Sequence, residues 1–159
     1  MIRTTKALAV AAFALAAALG ITAAQASAAN FSVDFKVHNA DSSVSMTRIT
    51  SPLPTTVTGL DPIGEILHGG NDPSTGNAVY SDGLPGLHGS ASVSLTYAKF
   101  SDQSSPCTFT IKVKNDGMLL TPYLLEFSNN GTSRCIVPGS ARSANGQFTS
   151  TVYTLNWST

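Results

Sequence analysis

Charge and cysteine are what this sequence has least of. Only 11% of its residues are charged and only two are cysteines. Beyond position 28 the basic residues are seven: Lys36, Arg48, Lys99, Lys112, Lys114, Arg134 and Arg142. They are scattered along the chain and interleaved with nine carboxylates, which leaves that part of the chain with a formal net charge of −2. A protein that grips a phosphate backbone needs a basic face, so the sequence gives no case for nucleic acid. The same dispersion argues against electrostatic attraction to an anionic membrane.

Catalytic signatures are also missing. There is no G-x-S-x-G nucleophile elbow, so the many serines have no marked nucleophile among them. Neither H-E-x-x-H nor an EF-hand pattern is present. His88-Gly89-Ser90 is better read as a turn entering a strand than as a base beside its nucleophile. The sequence therefore indicates no enzyme, no cofactor and no metal site. Helical periodicity is absent as well, since no stretch repeats its apolar residues at a spacing near 3.6.

Among long apolar runs only one stands out, at residues 7–19. It follows the positive Arg3 and Lys6 and precedes two overlapping small-x-small sites, Ala24-Gln25-Ala26 and Ala26-Ser27-Ala28. These three parts together describe a secretory signal peptide of Ala-rich, bacterial type. The run is about the shortest that spans a bilayer core of roughly 30 Å and is followed by Gly20 and Thr22, so cleavage is favoured over a permanent anchor. The expectation is a leader at 1–28 and a single domain at 29–159, located in the periplasm or outside the cell. In such an oxidising compartment Cys107 and Cys135 are expected to form one disulfide. Their spacing is unlike the C-x-x-C of a redox pair.

What is abundant is the vocabulary of β-structure. Residues 31–37 alternate apolar and polar without a fault, as do 91–97 and 107–113, so each predicts a strand with one buried face. Residues 44–49 read as a return strand antiparallel to the first, and 55–60 and 64–68 as weaker extended pieces. Asn115-Asp116-Gly117 predicts a tight hairpin turn into a strand at 118–127, and Asn129-Asn130-Gly131 a second turn into 134–137. Residues 148–157 form the last predicted strand, with Tyr153, Leu155 and Trp157 on one side. Core packing of Tyr153 and Trp157 is favoured over an aromatic platform for a sugar or lipid.

The disulfide restricts how these strands fold. A flat, in-register meander would leave the two cysteines two strand spacings apart, roughly 9.6 Å, whereas bridged Cα atoms lie within about 7 Å. Two sheets must therefore close near the bond, with Pro122 a natural place for the chain to change sheets. The expected fold is all-β: a two-sheet sandwich of immunoglobulin-like or jelly-roll type, with about seven to nine antiparallel strands.

Residues 61–89 are rich in Gly, Pro, Asn and Asp, with Tyr80 the only aromatic residue among them. They read as a long loop, and long structureless connections in compact domains are either functional or disordered. His68, Asp72, Tyr80, Asp82 and His88 are thus the candidate ligand-binding residues. The turn-forming habit of Asp and Asn accounts for the carboxylates there without any metal.

The order Val37-His38-Asn39, Val44-Ser45-Met46, a Gly-rich middle and a later strand with Tyr97 resembles the layout of aegerolysin-type sandwiches over about half of the chain, which implies membrane binding. In size, export route and single disulfide the chain is similar to fimbrial subunits, which implies assembly into a surface structure. The leading expectation is a non-enzymatic, secreted binding module that recognises a protein, glycan or surface through loop 61–89.

Overall fold

The computed structural model describes residues 31–60, 65–66, 74–80, 89–131 and 133–159. They form eleven strands: β1 (Phe31–Asn39), β2 (Met46–Arg48), β3 (Val57–Thr58), β4 (Glu65–Ile66), β5 (Ser74–Tyr80), β6 (Ser90–Lys99), β7 (Cys107–Asn115), β8 (Tyr123–Gly131), β9 (Arg134–Ile136), β10 (Ala141–Ser143) and β11 (Gln147–Ser158). One sheet has the order β3-β5-β1-β11-β9 and the other β10-β8-β7-β6-β2-β4. Buried side chains from both sheets make one cluster, so the architecture is the all-β sandwich expected from the sequence. All pairings are antiparallel except that of β1 with β11.

β1 shows how the sequence dictates this arrangement. Its period-two pattern buries Phe31, Val33, Phe35, Val37 and Asn39, while Ser32, Asp34, Lys36 and His38 lie half-exposed on the outer face. β6 and β7 repeat the device, with buried Val93 opposite Ile111, Leu95 opposite Phe109 and Tyr97 opposite Cys107 across the ladder. On the outer face, Ser94 and Thr110 share a hydroxyl hydrogen bond of 2.8 Å, and Thr96 and Thr108 one of 2.9 Å. Cross-strand pairs of this kind stabilise a wet sheet face. Leu155 and Trp157 are fully buried and Tyr153 is half-buried, its ring 5.0 Å from that of Phe127.

Cys107 and Cys135 are bridged with Cα atoms 6.2 Å apart. The bond joins β7 of one sheet to β9 of the other, as the distance argument required. The place of crossing differs from the expectation. The chain stays in one sheet past Pro122 and through Asn129-Asn130-Gly131, which belong to β8, and changes sheets between β8 and β9. β9 accordingly pairs with β11 instead of completing a meander with β8. Residues 44–49 also find another partner: β2 pairs with β6 and β4 in the opposite sheet, not with β1.

The largest correction concerns residues 61–89, which are not one structureless loop. β5 runs through them as a seven-residue strand paired on both sides, with β1 and β3. Its composition follows from crowding. A Cβ placed on Gly76 would lie 2.7 Å from Cζ of Phe35 and 2.9 Å from Leu60, so only glycine fits beneath that ring.

Just beyond β1, Asp41 ties this stretch of the chain to Val44 and Thr159. Asp41 Oδ1 accepts hydrogen bonds from the Ser43 amide (2.8 Å), the Ser43 hydroxyl (3.1 Å) and the Val44 amide (2.8 Å). Its Oδ2 accepts from the amide and hydroxyl of Thr159. These bonds, led by that of the Thr159 hydroxyl, hold the Asp41 carboxyl far below the usual carboxylate range. A depressed folded-state pKa contributes stability that is complete above the unfolded value and is lost as pH falls through the folded one.

Two stability predictions follow from this packing. Asp41→Asn is expected to lower unfolding free energy at neutral pH by about 1–3 kcal/mol and to reduce the loss of stability on acidification, measured by urea titration across pH. Equal acid-side slopes in variant and parent would refute the assignment. Gly76→Ala is expected to cost about 1–3 kcal/mol through overpacking, and an unchanged denaturation midpoint would show that Phe35 and Leu60 yield freely.

Candidate functional site

Strand register gathers several segments at one pole of the sandwich. Phe31 at the start of β1 stands beside Tyr80 at the end of β5, and Ser32 beside Gln147 at the start of β11. In the second sheet Ser90 opposes Lys114, Asn115 opposes Tyr123, and Tyr123 opposes Ser143. The rings of Phe31 and Tyr123 meet edge to face at 4.8 Å, joining the two sheets there. Loops carried by the ends of rigid sheets are the usual place for binding function.

The described loop at this pole is 116–122, where a tight turn and a continuing strand were expected. β8 begins only at Tyr123. Met118, Leu119 and Leu120 therefore do not enter a sheet. They are 49%, 96% and 81% exposed, respectively. Large apolar side chains scattered singly on a surface are ordinary, whereas three in succession at a projecting tip are the kind of contiguous patch that marks an interaction site.

A polar clamp holds the base of this loop. Arg142 in β10 donates from Nη2 to Asp116 Oδ2 (2.6 Å), and from Nη1 to Asp116 Oδ1 (3.1 Å) and to the Thr121 carbonyl (3.3 Å). The Asp116 amide donates to the Pro122 carbonyl (3.0 Å), closing the loop across its neck. Asn115 Oδ1 accepts from the amide of Gly117, whose φ of 76° lies in the left-handed region that glycine adopts readily. The bidentate guanidinium holds the Asp116 carboxyl below its ordinary range, and the carboxylate in turn raises Arg142. Both side chains are partly open to solvent, so the clamp serves geometry more than stability.

The residues proposed from sequence are placed less fully. His68, Asp72, Asp82 and His88 lie outside the described residues. Tyr80 ends β5 at the pole just described, with its backbone opposite Phe31. The joins to 81–88 are thus at the same pole as loop 116–122, because Tyr80 precedes that segment and Gly89 follows it. The Gly89 carbonyl accepts a 2.9 Å hydrogen bond from the Asn115 amide. Sequence reasoning missed the apolar tip because hydrophobic residues after a turn read as strand. The available signal was the pair of positions in 116–122 that resist pairing, Gly117 and Pro122.

His38 sits far along β1, where its Nδ1 and Asn156 Oδ1 are 3.1 Å apart. Among the described residues no three His, Cys, Asp or Glu side chains converge to hold a metal. A cleft of about 470 Å³ lies against β7 and β8, lined by Lys112, Glu126, Phe127, Ser128 and Ser140. Glu126 there is bound by Lys114 Nζ at 2.8 Å. The lining offers cationic and hydroxyl contacts, and no histidine or cysteine.

Comparison with protein-family profiles, curated proteins and solved structures finds no match to this chain.

The clamp predicts a pH signature. Because the folded-state pKa of Asp116 is depressed, the ion pair should persist through the ordinary carboxylate range near pH 4 and open only below it. Protection of the Gly117 and Met118 amides, which donate to Asn115 Oδ1 and Asp116 Oδ1, should therefore persist down to that range in the parent protein. Arg142→Gln should accelerate exchange above that range and match the parent below it, and equal exchange in the two proteins above the range would eliminate the clamp as the ordering element.

Proposed function

We propose that this chain is a non-enzymatic, exported β-sandwich that engages a partner or surface through the pole bearing loop 116–122. The observation that carries this reading is the exposure of Leu119 and Leu120 on a loop whose base is fixed by Arg142 and Asp116. Exposed leucines at a tip add nothing to the core. A clamp that holds them in place lowers the ordering cost of binding.

Supporting the reading, the residues that flank 81–88, Tyr80 and Gly89, lie at this pole, whereas Ser74, which follows the segment holding His68 and Asp72, pairs with Val37 toward the opposite one. Export is supported by the leader signature at 1–28, and a disulfide is compatible with an oxidising, extracytoplasmic compartment. The absence of catalytic motifs from the sequence favours binding over chemistry. Deleting residues 70–86, a natural way to test the long segment, would remove β5 from the sheet and is unsuitable.

The decisive experiment is retention of the protein by an isolated cell-envelope fraction. The chain 29–159, which holds every described strand, should be retained, and the double variant L119S/L120S should be lost to the supernatant with an unchanged thermal midpoint. Equal retention of the two proteins would remove the pole from consideration.

A further inference from the structure

We infer that Asn145 is a self-modification site: its side-chain amide is lost to attack by the Gly146 backbone, and water then leaves aspartate or isoaspartate between β10 and β11. The chemistry needs no partner and is independent of what this pole of the sandwich binds.

The dipeptide Asn-Gly occurs twice in the sequence, at Asn130-Gly131 and at Asn145-Gly146. Glycine after asparagine leaves the attacking amide unshielded, because it carries no Cβ. Sequence alone therefore does not choose between the two sites, and the fold does.

Asn130 and Gly131 end β8, in register with Thr108 and Cys107 of β7. A Cβ on Gly131 would strike the Pro106 carbonyl oxygen and lie 2.8 Å from Cα of Cys107, so this backbone is pressed against its neighbour. Swinging the Gly131 amide toward the Asn130 side chain would break the end of the ladder, beside the disulfide of Cys107.

Asn145 is exposed in the bend between β10 and β11, and the Gly146 that follows it has a φ of 77°. Its Oδ1 accepts hydrogen bonds from the Ser143 hydroxyl (2.8 Å) and the Gln147 amide (3.0 Å). The second bond is that of an Asx-turn, which folds the carboxamide back along its own main chain, toward the peptide it must meet. Reaction within one molecule, from a geometry already set, escapes most of the entropy cost of a bimolecular step. Two donors about 3 Å from an oxygen that gains negative charge are the arrangement that stabilises a tetrahedral intermediate. Among the described residues no acceptor holds Nδ2, the leaving group.

The Gly146 nitrogen gives its proton to solvent base and bonds to Cγ of Asn145. The Cγ–Nδ2 bond breaks, and Nδ2 takes a proton from water and departs as ammonia, closing a succinimide. Water then adds to one of the two ring carbonyls and breaks its bond to nitrogen. The net exchange is one water for one ammonia, with no oxidant or reductant. Opening at the Cγ carbonyl gives aspartate, and opening at the main-chain carbonyl gives isoaspartate, which adds a methylene to the backbone. Gly146 sits against the start of β1: its carbonyl accepts from the Ser32 amide (3.3 Å), and a Cβ on it would lie 2.5 Å from Phe31 Cε1. The longer backbone therefore displaces the first residues of β11 from β1.

The test follows the chain 29–159 at mildly alkaline pH, native and in urea with the disulfide reduced. Trypsin, cutting after Lys114, Arg134 and Arg142, puts Asn130 in peptide 115–134 and Asn145 in peptide 143–159. Mass analysis with fragmentation then assigns each exchange of NH2 for OH to its residue. In the native protein Asn145 should convert more than about tenfold faster than Asn130, and in urea the two rates should converge. Ser143→Ala should slow Asn145 severalfold in the native protein, Ser143→Thr should restore the rate, and neither should alter it in urea. Gly146→Ala is unsuitable as a control, because its Cβ would press on Phe31. Equal rates at the two sites in the native protein, or faster conversion of Asn130, overturn the proposal. So does an Asn145 that stays intact in the native protein while the urea sample converts. Equal native rates in Ser143→Ala and the parent overturn the part given to the hydroxyl, and with it the bend as the promoting element.

Discussion

The structure depends on the double pairing of β1. This strand lies between β5 and β11 and, among the described residues, is what connects the two halves of its sheet. Five of its nine side chains form the inner surface against which the second sheet packs. Removing it would open two ladders at once and expose Phe31, Val33, Phe35 and Val37. Burial of each such side chain is worth roughly 1.5–3 kcal/mol, against a total stability of only 5–15 kcal/mol for a typical domain. Neighbouring residues are shaped by the strand as well: Gly76 has no side chain because the Phe35 ring occupies its space.

The two poles are built differently. At the one where β1 ends, a disulfide joins the sheets, Trp157 stands in register with Cys135, and Asp41 ties the exit of β1 to Thr159. The disulfide and the Asp41 hydrogen bonds are there, whereas the ion pairs Lys114–Glu126 and Arg142–Asp116 lie toward the other pole. At the other pole the sheets meet through the Phe31 and Tyr123 rings, and the surface is given over to loops. The sandwich is thus cross-tied by a covalent bond at one end and by an aromatic pair at the other.

Strands with strict alternation were legible because a buried face imposes a period of two on any sequence. The presence of two sheets was legible for a geometric reason, since no flat arrangement brings Cys107 near Cys135. Partner choice was not legible: nothing in residues 46–48 says that they pair with β6 and not with the nearer β1, because register across long separations is decided by the whole core. β5 was hidden by its small and polar residues, of which Gly76 is explained by crowding from Phe35 and Leu60. The apolar tip was misassigned for the opposite reason. Hydrophobicity after a turn suggests burial, and only the positions of Asp116, Thr121 and Arg142 in three dimensions reveal a loop held away from the core.

The parallel ladder between β1 and β11 also orders events along the chain. Ser32 pairs with Gln147 and Asn39 with Trp157, so nearly the whole described length lies between the partners. Closing so long a loop costs more entropy than closing the short ones between β6, β7 and β8, which are successive neighbours in their sheet. A chain emerging from its N-terminus carries β1 long before its permanent neighbour exists. Until β11 is present, the strand at the centre of that sheet lacks its parallel partner and keeps one edge unfilled.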